Sequence, residues 1–272
     1  MKNTNSKLRG QDKGMAFKIL ITCASILLSV LSKSAISKDH TEIENTDKLN
    51  IAFGTAFFYN SEGEMFTNRH VIESCDPNSV FVKTHDGKLN KAKILAKSQK
   101  YDLAAIKINY KNDAFGAIRT ADDKHVSVPE ETEDVFSSGY SSPLERKFEP
   151  YTRWGQIQRW LSPNEFPYIN RMRMDAYPGA SGSAILDYAG LVVGILFAGS
   201  RESIVDLSQL HRAGYADKWI FFHNNNAIVD FSNSNNLRIN VWSNWSRKSP
   251  IFIAGHALII TGLVVCETVK SE

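Results

Sequence analysis

At 272 residues the chain has room for one domain with a sizeable core once terminal targeting segments are set aside. A formal charge of +3, with no long Lys/Arg run in the interior of the sequence, excludes a polyanion-binding design, so nucleic acid is not an expected partner. Three cysteines exclude a miniature scaffold stapled by disulfides.

The first element in chain order is a targeting signal. Lys2, Lys7, Arg9, Lys13 and Lys18 precede the apolar run Ile19–Leu31, and small residues follow, ending at Ala35. Basic, apolar, small is the order of a secretory signal peptide, so residues 1–35 are expected to be a signal peptide or an N-terminal anchor. Lys33 stands where a small residue is usual, and Met15 is an alternative start. The expected location is therefore periplasmic or secreted, with a membrane anchor as the variant reading. Residues 36–48 are polar and charged and read as a linker. Cys23 falls in the signal, which leaves Cys75 and Cys266 far apart in sequence. A disulfide framework is not expected from them, and Cys75 reads as a small buried hydrophobe.

From Leu49 the pattern is β. The stretches NIAFGTAFFYN, EMFTN, SVFVK, AKILAK and LAAIKIN are short, rich in β-branched and aromatic residues, and separated by turn residues. Residues 109–132 read as loop. β signals resume with EDVFSSGY, RWGQIQRWL, YINRMRMD, SGSAILD, LVVGILFAG and KWIFFHN, and AIVDFSNSNN reads as a short closing helix. This spacing predicts a sandwich or barrel rather than alternating βαβ units. The segment Ile251–Cys266 is nearly all apolar. As a helix it would be about 24 Å long, short of the roughly 30 Å hydrocarbon core. A packed helix, a buried strand pair and a membrane tail all fit it. Residues 19–31 and 251–266 are thus the candidate membrane contacts.

Three short stretches carry chemistry. TNRHVI places His70 after a strand, YDLAAIKI places Asp102 just before one, and YPGASGSAIL places Ser181 in a glycine-flanked turn that opens another. A serine hydroxyl is a poor nucleophile near neutrality and needs a neutral imidazole to take its proton. The imidazole needs a carboxylate on its other nitrogen to hold one tautomer and to stabilise the charged form. The developing oxyanion needs fixed donors, and a Gly179-Ala180-Ser181 turn can aim the backbone N–H groups of Gly179 and Ser181 into one pocket. Because such a base works only when neutral, activity should rise with pH through the near-neutral range.

These stretches resemble the trypsin-like (chymotrypsin-fold) serine peptidases, above all the bacterial Deg/Htr-type and glutamyl-endopeptidase-like branches. GTAFFYNSEGEMFTNRHVI is similar to the family's first strands and histidine motif, DLAAIKI to its aspartate motif, and PGASGSAIL followed by GLVVGILFAG to its serine motif and the next strand. SSGYSSP and RWGQIQRW fall where the family has a glycine-containing strand and a hairpin. Each motif alone is weak; three in order, at suitable spacing, are specific. The resemblance covers residues 49–230 and implies an all-β fold of two antiparallel Greek-key barrels, with the site in the cleft between them. It implies a serine endopeptidase acting on polypeptides through an acyl-enzyme, and it leaves 231–272 as a tail. Ala180 stands where an acid is common, so activation by a freed N-terminal amine is not expected. No region of PDZ size follows.

By the same resemblance, Asp175 has the spacing of an acid at the base of the substrate pocket, while its simpler reading is a strand-end acid. Leu196, Phe197 and Ala198 are expected on a pocket wall. No histidine occurs in that strand, which disfavours glutamate specificity. Two rival readings stand beside the endopeptidase. One is an α/β-hydrolase using Ser181 with Asp206 or Asp217 and His223, against which Ser183 breaks the required Gly-x-Ser-x-Gly. The other is a catalytically silent trypsin-fold protein that binds peptides or partners. The histidines other than His70 show no metal-ligand spacing, so neither metal nor cofactor is expected.

Overall fold

The computed structural model describes residues 51–122, 125–141, 149–158, 167–197, 219–243 and 245–269. The signal segment, the linker, Ala198, Asp206 and Asp217 lie outside these residues. In chain order come β1 (Ile51–Phe58), β2 (Glu64–Thr67), α1 (Arg69–Ile72), β3 (Phe81–Lys83), β4 (Leu89–Lys97), β5 (Ala104–Ile108) and β6 (Ile118–Arg119). Then follow β7 (Asp134–Tyr140), β8 (Pro150–Gln158), β9 (Ile169–Arg173), β10 (Ala184–Leu186), β11 (Val192–Phe197) and β12 (Trp219–Asn224). The chain closes with α2 (Asn225–Ser234), β13 (Val241–Trp242), α3 (Pro250–Ile260) and β14 (Thr261–Glu267).

The expected two-barrel architecture is present. The first barrel closes in the order β1–β14–β3–β4–β5–β2, with every pairing antiparallel. The second runs β10–β7–β8–β9–β12–β11 and closes through β10 against β11. β6 and β13 add parallel pairings outside that ring, on the β11 side. Each barrel has its own apolar interior: Phe58, Met65, Val82, Ile106 and Val264 fill the first, and Val135, Ile157, Met172, Ile185 and Phe222 fill the second. A third cluster joins them, packing Phe57, Phe66 and Leu103 against Leu186, Val192 and Ile195 and against α2 and α3. That shared core fixes one barrel on the other.

The expected closing helix is α2, whose N-cap Asn224 accepts from the N–H groups of Asn226 and Ala227. The 251–266 segment is the first correction: it is not one element of a single kind but a packed helix followed by a buried strand, and a membrane tail finds no support in it. Ser249 caps α3, Pro250 takes the first helical position, and Thr261 turns the chain into the extended strand β14. β14 lies between β1 and β3, pairing Phe57 with Thr261 at one end and Ile51 with Glu267 at the other. A strand bonded on both edges is barrel wall, and the barrel that carries His70 is incomplete without it. Among the described residues no helix is long and apolar enough to cross a membrane.

The second correction concerns the cysteines. Cys75 and Cys266 form a disulfide, with Cα atoms 5.7 Å apart. Cys75 is buried as expected, but distance in sequence was no guide to distance in space. The β14 register carries Cys266 to the loop after α1, where Cys75 also bridges Thr268.

Candidate active site

His70 lies in α1, a single turn that follows β2 directly. Asn68 precedes it in extended conformation and donates from its side chain to the Asp102 carbonyl at 2.8 Å. This bond ties the start of the turn to the segment entering β5. Asp102 then holds His70 twice. Its Oδ1 accepts the His70 backbone N–H at 2.9 Å, and its Oδ2 lies 2.5 Å from His70 Nδ1. The imidazole is half-buried, whereas Asp102 is 1% exposed. Burial pushes the Asp102 carboxyl up, but the hydrogen bonds and charge of His70 outweigh it and hold it below the usual carboxylate range. An ionised carboxylate on Nδ1 leaves Nε2 as the nitrogen free to exchange a proton.

Ser181 is presented by a tight turn from Pro178 into β10. Ala180 N–H donates to the Tyr177 carbonyl at 3.0 Å, and the Ala180 carbonyl accepts from Ser183 through both N–H (3.1 Å) and Oγ (2.6 Å). Ser183 thus closes the turn. Gly179 and Gly182 carry φ of 101° and 90°, a region that side chains rarely adopt. At Gly182 a Cβ would also sit 2.0 Å from the Thr55 carbonyl oxygen. Among the described residues no carbonyl accepts from the backbone N–H of Gly179 or Ser181. Two unspent donors flanking a serine hydroxyl are the requirement for holding an oxyanion.

The turn is docked onto the first barrel by Thr55 of β1, which is fully buried. Thr55 N–H donates to the Ser181 carbonyl at 2.8 Å, and its hydroxyl donates to the Gly179 carbonyl at 2.7 Å. The same hydroxyl accepts from Tyr140 N–H at 3.0 Å, and the Thr55 carbonyl accepts from the Thr67 hydroxyl at 2.7 Å. Thr67 is the last residue of β2, three before His70, so Thr55 stands between the turn of Ser181 and the strand that delivers His70. Sequence reading passed over Thr55, because nothing in GTAFF distinguishes a hub from a strand residue.

The candidate pocket residues separate. Leu196 is fully buried in the second-barrel core. Phe197 is 7% exposed and stacks on His223, with ring centroids 4.6 Å apart. Ala198 lies outside the described residues. Asp175 is exposed at the end of β9, and its carbonyl accepts from the Arg153 guanidinium. His223, weighed from sequence only as a base for the hydrolase rival, lies behind Asp102 and accepts its backbone N–H at Nε2, 3.3 Å away. No described cluster of His, Cys, Asp or Glu could hold a metal ion.

Comparison with known proteins agrees with this geometry. The trypsin-like peptidase domain family matches residues 54–195, just over half of the chain and all three candidate stretches. Among curated proteins, a "Probable periplasmic serine endoprotease DegP-like" of Chlamydia muridarum is 34% identical over 156 residues, covering 57% of this chain and 30% of its own length. A "Serine protease Do-like HtrA" of Lactobacillus helveticus is 33% identical over 144 residues, covering 50% and 32%. The chain thus spans about a third of these relatives. Among solved structures, the HtrA-type protease AlgW with a decapeptide superposes with a TM-score of 0.51 at 21% identity, covering 67% of this chain and 51% of its own. The serine endoprotease from Yersinia pestis gives 0.51 at 19% identity, covering 69% and 58%. With two closed barrels, the His70–Asp102 pair and the glycine-flanked Ser181 turn in one frame, the chain belongs to the trypsin-like peptidase domain family, with HtrA- and DegP-type serine proteases as its homologues.

Proposed function

We propose that the protein is an exported serine endopeptidase that hydrolyses polypeptides through an acyl-enzyme. Ser181 Oγ attacks the peptide carbonyl, and His70 Nε2 takes its proton and returns it to the leaving amine. Asp102 orients the imidazole and stabilises its charged form, while the N–H groups of Gly179 and Ser181 hold the oxyanion. Water then releases the acyl group by the same route. The observation that carries this reading is the double clamp of a buried, ionised Asp102 on His70, at the backbone N–H and at Nδ1. A protein that only bound peptides would have no use for a carboxylate spent in this way.

Export is supported by the basic–apolar–small order of residues 1–35 and by the periplasmic names of relatives. A disulfide also suits an oxidising compartment. Preference for Arg or Lys is not part of the reading. The carboxylate of Asp175 is exposed, and an exposed pair with a substrate cation gains little.

The test is labelling with a fluorophosphonate, together with turnover of casein or a peptide library. Wild-type protein should label at Ser181, and folded Ser181→Ala should lose both labelling and nearly all turnover. A wild-type protein that folds but neither labels nor cleaves would support the silent, peptide-binding alternative instead.

A further inference from the structure

Asp102 is a residue pinned at all of its polar positions. Its two carboxylate oxygens meet His70 and its carbonyl meets Asn68, both from the first barrel. Its backbone N–H goes the other way, to His223 Nε2 on β12 of the second barrel. His223 is 1% exposed, its Phe197 stack has an interplanar angle of 29°, and Tyr101 packs edge-on at 6.0 Å. A nitrogen that accepts an N–H carries no proton, so the neutral ring holds its proton at Nδ1. Among the described residues that buried Nδ1 has no hydrogen-bond partner. An unpartnered buried donor is costly, and an apolar side chain would fill the same space without it. The surroundings therefore leave one use for the imidazole, which is its accepting nitrogen.

We propose that His223 is a positioning residue that anchors the His70–Asp102 pair to the barrel carrying Ser181, by fixing the Asp102 peptide through its N–H. The proposal rests on the endopeptidase reading for its consequence, but not for its geometry. Thr55 ties the Ser181 turn to the first barrel, and His223 ties Asp102 to the second. Together they set the distance across the cleft from both sides. The charged and titratable groups facing His223 are Asp102 and His70, with Tyr101 beside them. Without the accepting nitrogen the Asp102 N–H is left unpaired, and the peptide that carries the carboxylate loses its tie to the second barrel.

The experiment compares full-length wild type, His223→Phe and His223→Gln. Phenylalanine keeps the stack on Phe197 and removes the acceptor, whereas the glutamine carbonyl can accept the same N–H. His223→Phe should lower kcat by about 10- to 100-fold with little change in KM, the scale of a misplaced catalytic group. It should also weaken the downfield proton signal of the His70–Asp102 hydrogen bond. His223→Gln should recover most of both. A folded His223→Phe with wild-type kcat and an undiminished downfield signal overturns the proposal, as does a glutamine variant no better than phenylalanine. If His223→Phe does not fold, nitrogen NMR of the wild type decides: an accepting, unprotonated Nε2 on His223 supports the assignment, and a proton on that nitrogen overturns it. Both NMR readouts are independent of turnover, so a protein whose Ser181 fails to label loses the endopeptidase reading without deciding this one.

Discussion

The two barrels are closed by different means. The second is assembled locally, since all six strands of its ring lie between Asp134 and Asn224. The first takes five strands from Ile51–Ile108 and its sixth from Thr261–Glu267, after the whole second barrel has intervened. The entropic cost of closing so long a loop grows only as its logarithm, by about 0.6 kcal/mol per doubling, so two bonded edges outweigh it. What the long route changes is dependence. At the end of β14 and just past it, Asp76 N–H donates to the Glu267 carbonyl and Val269 N–H to the Ser74 carbonyl, both at 2.9 Å, beside the Cys75–Cys266 disulfide. All of these contacts grip the loop that leaves α1, where His70 lies. The half of the candidate site that holds His70 therefore leans on the far end of the chain, and the half that holds Ser181 on its own turn and on Thr55 of β1.

The largest effect separates these halves by chemistry alone. Asp102→Asn keeps the shape of the first-barrel half and removes its charge. It should lower kcat by roughly 10³- to 10⁴-fold, because the amide cannot hold His70 in the required tautomer or stabilise its charged form. Steady-state kinetics on a natively melting variant would check it, and a kcat within tenfold of wild type would remove Asp102 from the proposed triad.

Next comes the covalent closure. Cys75→Ser combined with Cys266→Ser should cost about 2–5 kcal/mol in urea unfolding. Hydrogen exchange should accelerate first in β14 and β1, whereas β8 and β9 of the second barrel keep their protection. Uniform loss of protection across both barrels would mean that the disulfide serves the whole fold and not the first barrel in particular.

His223 supplies a pH-dependent version of the same comparison. Burial lowers its pKa from 6.5 to about 4, opposed by the charge of Asp102 and aided by that of His70. The unfolded chain therefore takes up the proton first. The stabilisation from keeping this ring neutral is complete above pH 6.5 and is lost as the pH falls to about 4. It amounts to about 3 kcal/mol. Burial lowers His256 with the same sign, whereas burial raises Asp187, which acts oppositely. The difference between wild type and His223→Gln cancels those shared contributions. Stability of the variant should fall less steeply between pH 6.5 and 4, and parallel curves would show that His223 does not titrate in that window.

The same asymmetry governs what could be read from sequence. The stretches that carry His70, Asp102 and Ser181 were legible as family motifs, because the chemistry proposed for them demands fixed residue types in short, punctuated stretches. The strands were legible because strand length and turn residues are local properties, whereas their closure into two barrels followed from the family resemblance and not from the pattern. β14 was not, because LIITGLVVC satisfies helix and strand equally until a slot between β1 and β3 selects one. The pairing of Cys75 with Cys266 depended on that slot. Thr55 and His223 were hidden for a related reason: their roles lie in bonds to residues more than a hundred positions away.

The smallest predicted effect tests the tie across the cleft made by Thr55. Thr55→Val preserves shape and burial but removes a hydroxyl that donates to the Gly179 carbonyl and accepts from Tyr140 N–H. Two buried groups lose a partner, at an expected cost of about 1–3 kcal/mol in unfolding free energy. The backbone bond from residue 55 to the Ser181 carbonyl survives, so the fold and the His70–Asp102 pair should persist. The turn that carries the two proposed oxyanion donors is loosened instead, and fluorophosphonate labelling should slow while the downfield His70–Asp102 proton signal stays. Thr67→Val is the matched control. It removes a hydroxyl bond to the Thr55 carbonyl within the first barrel and leaves both side-chain bonds between Thr55 and the second barrel in place. If both variants slow labelling equally at equal loss of stability, the hydroxyl of Thr55 contributes packing energy only. If Thr55→Val alone slows it, the side chain holds the Ser181 turn in register with the barrel that carries His70.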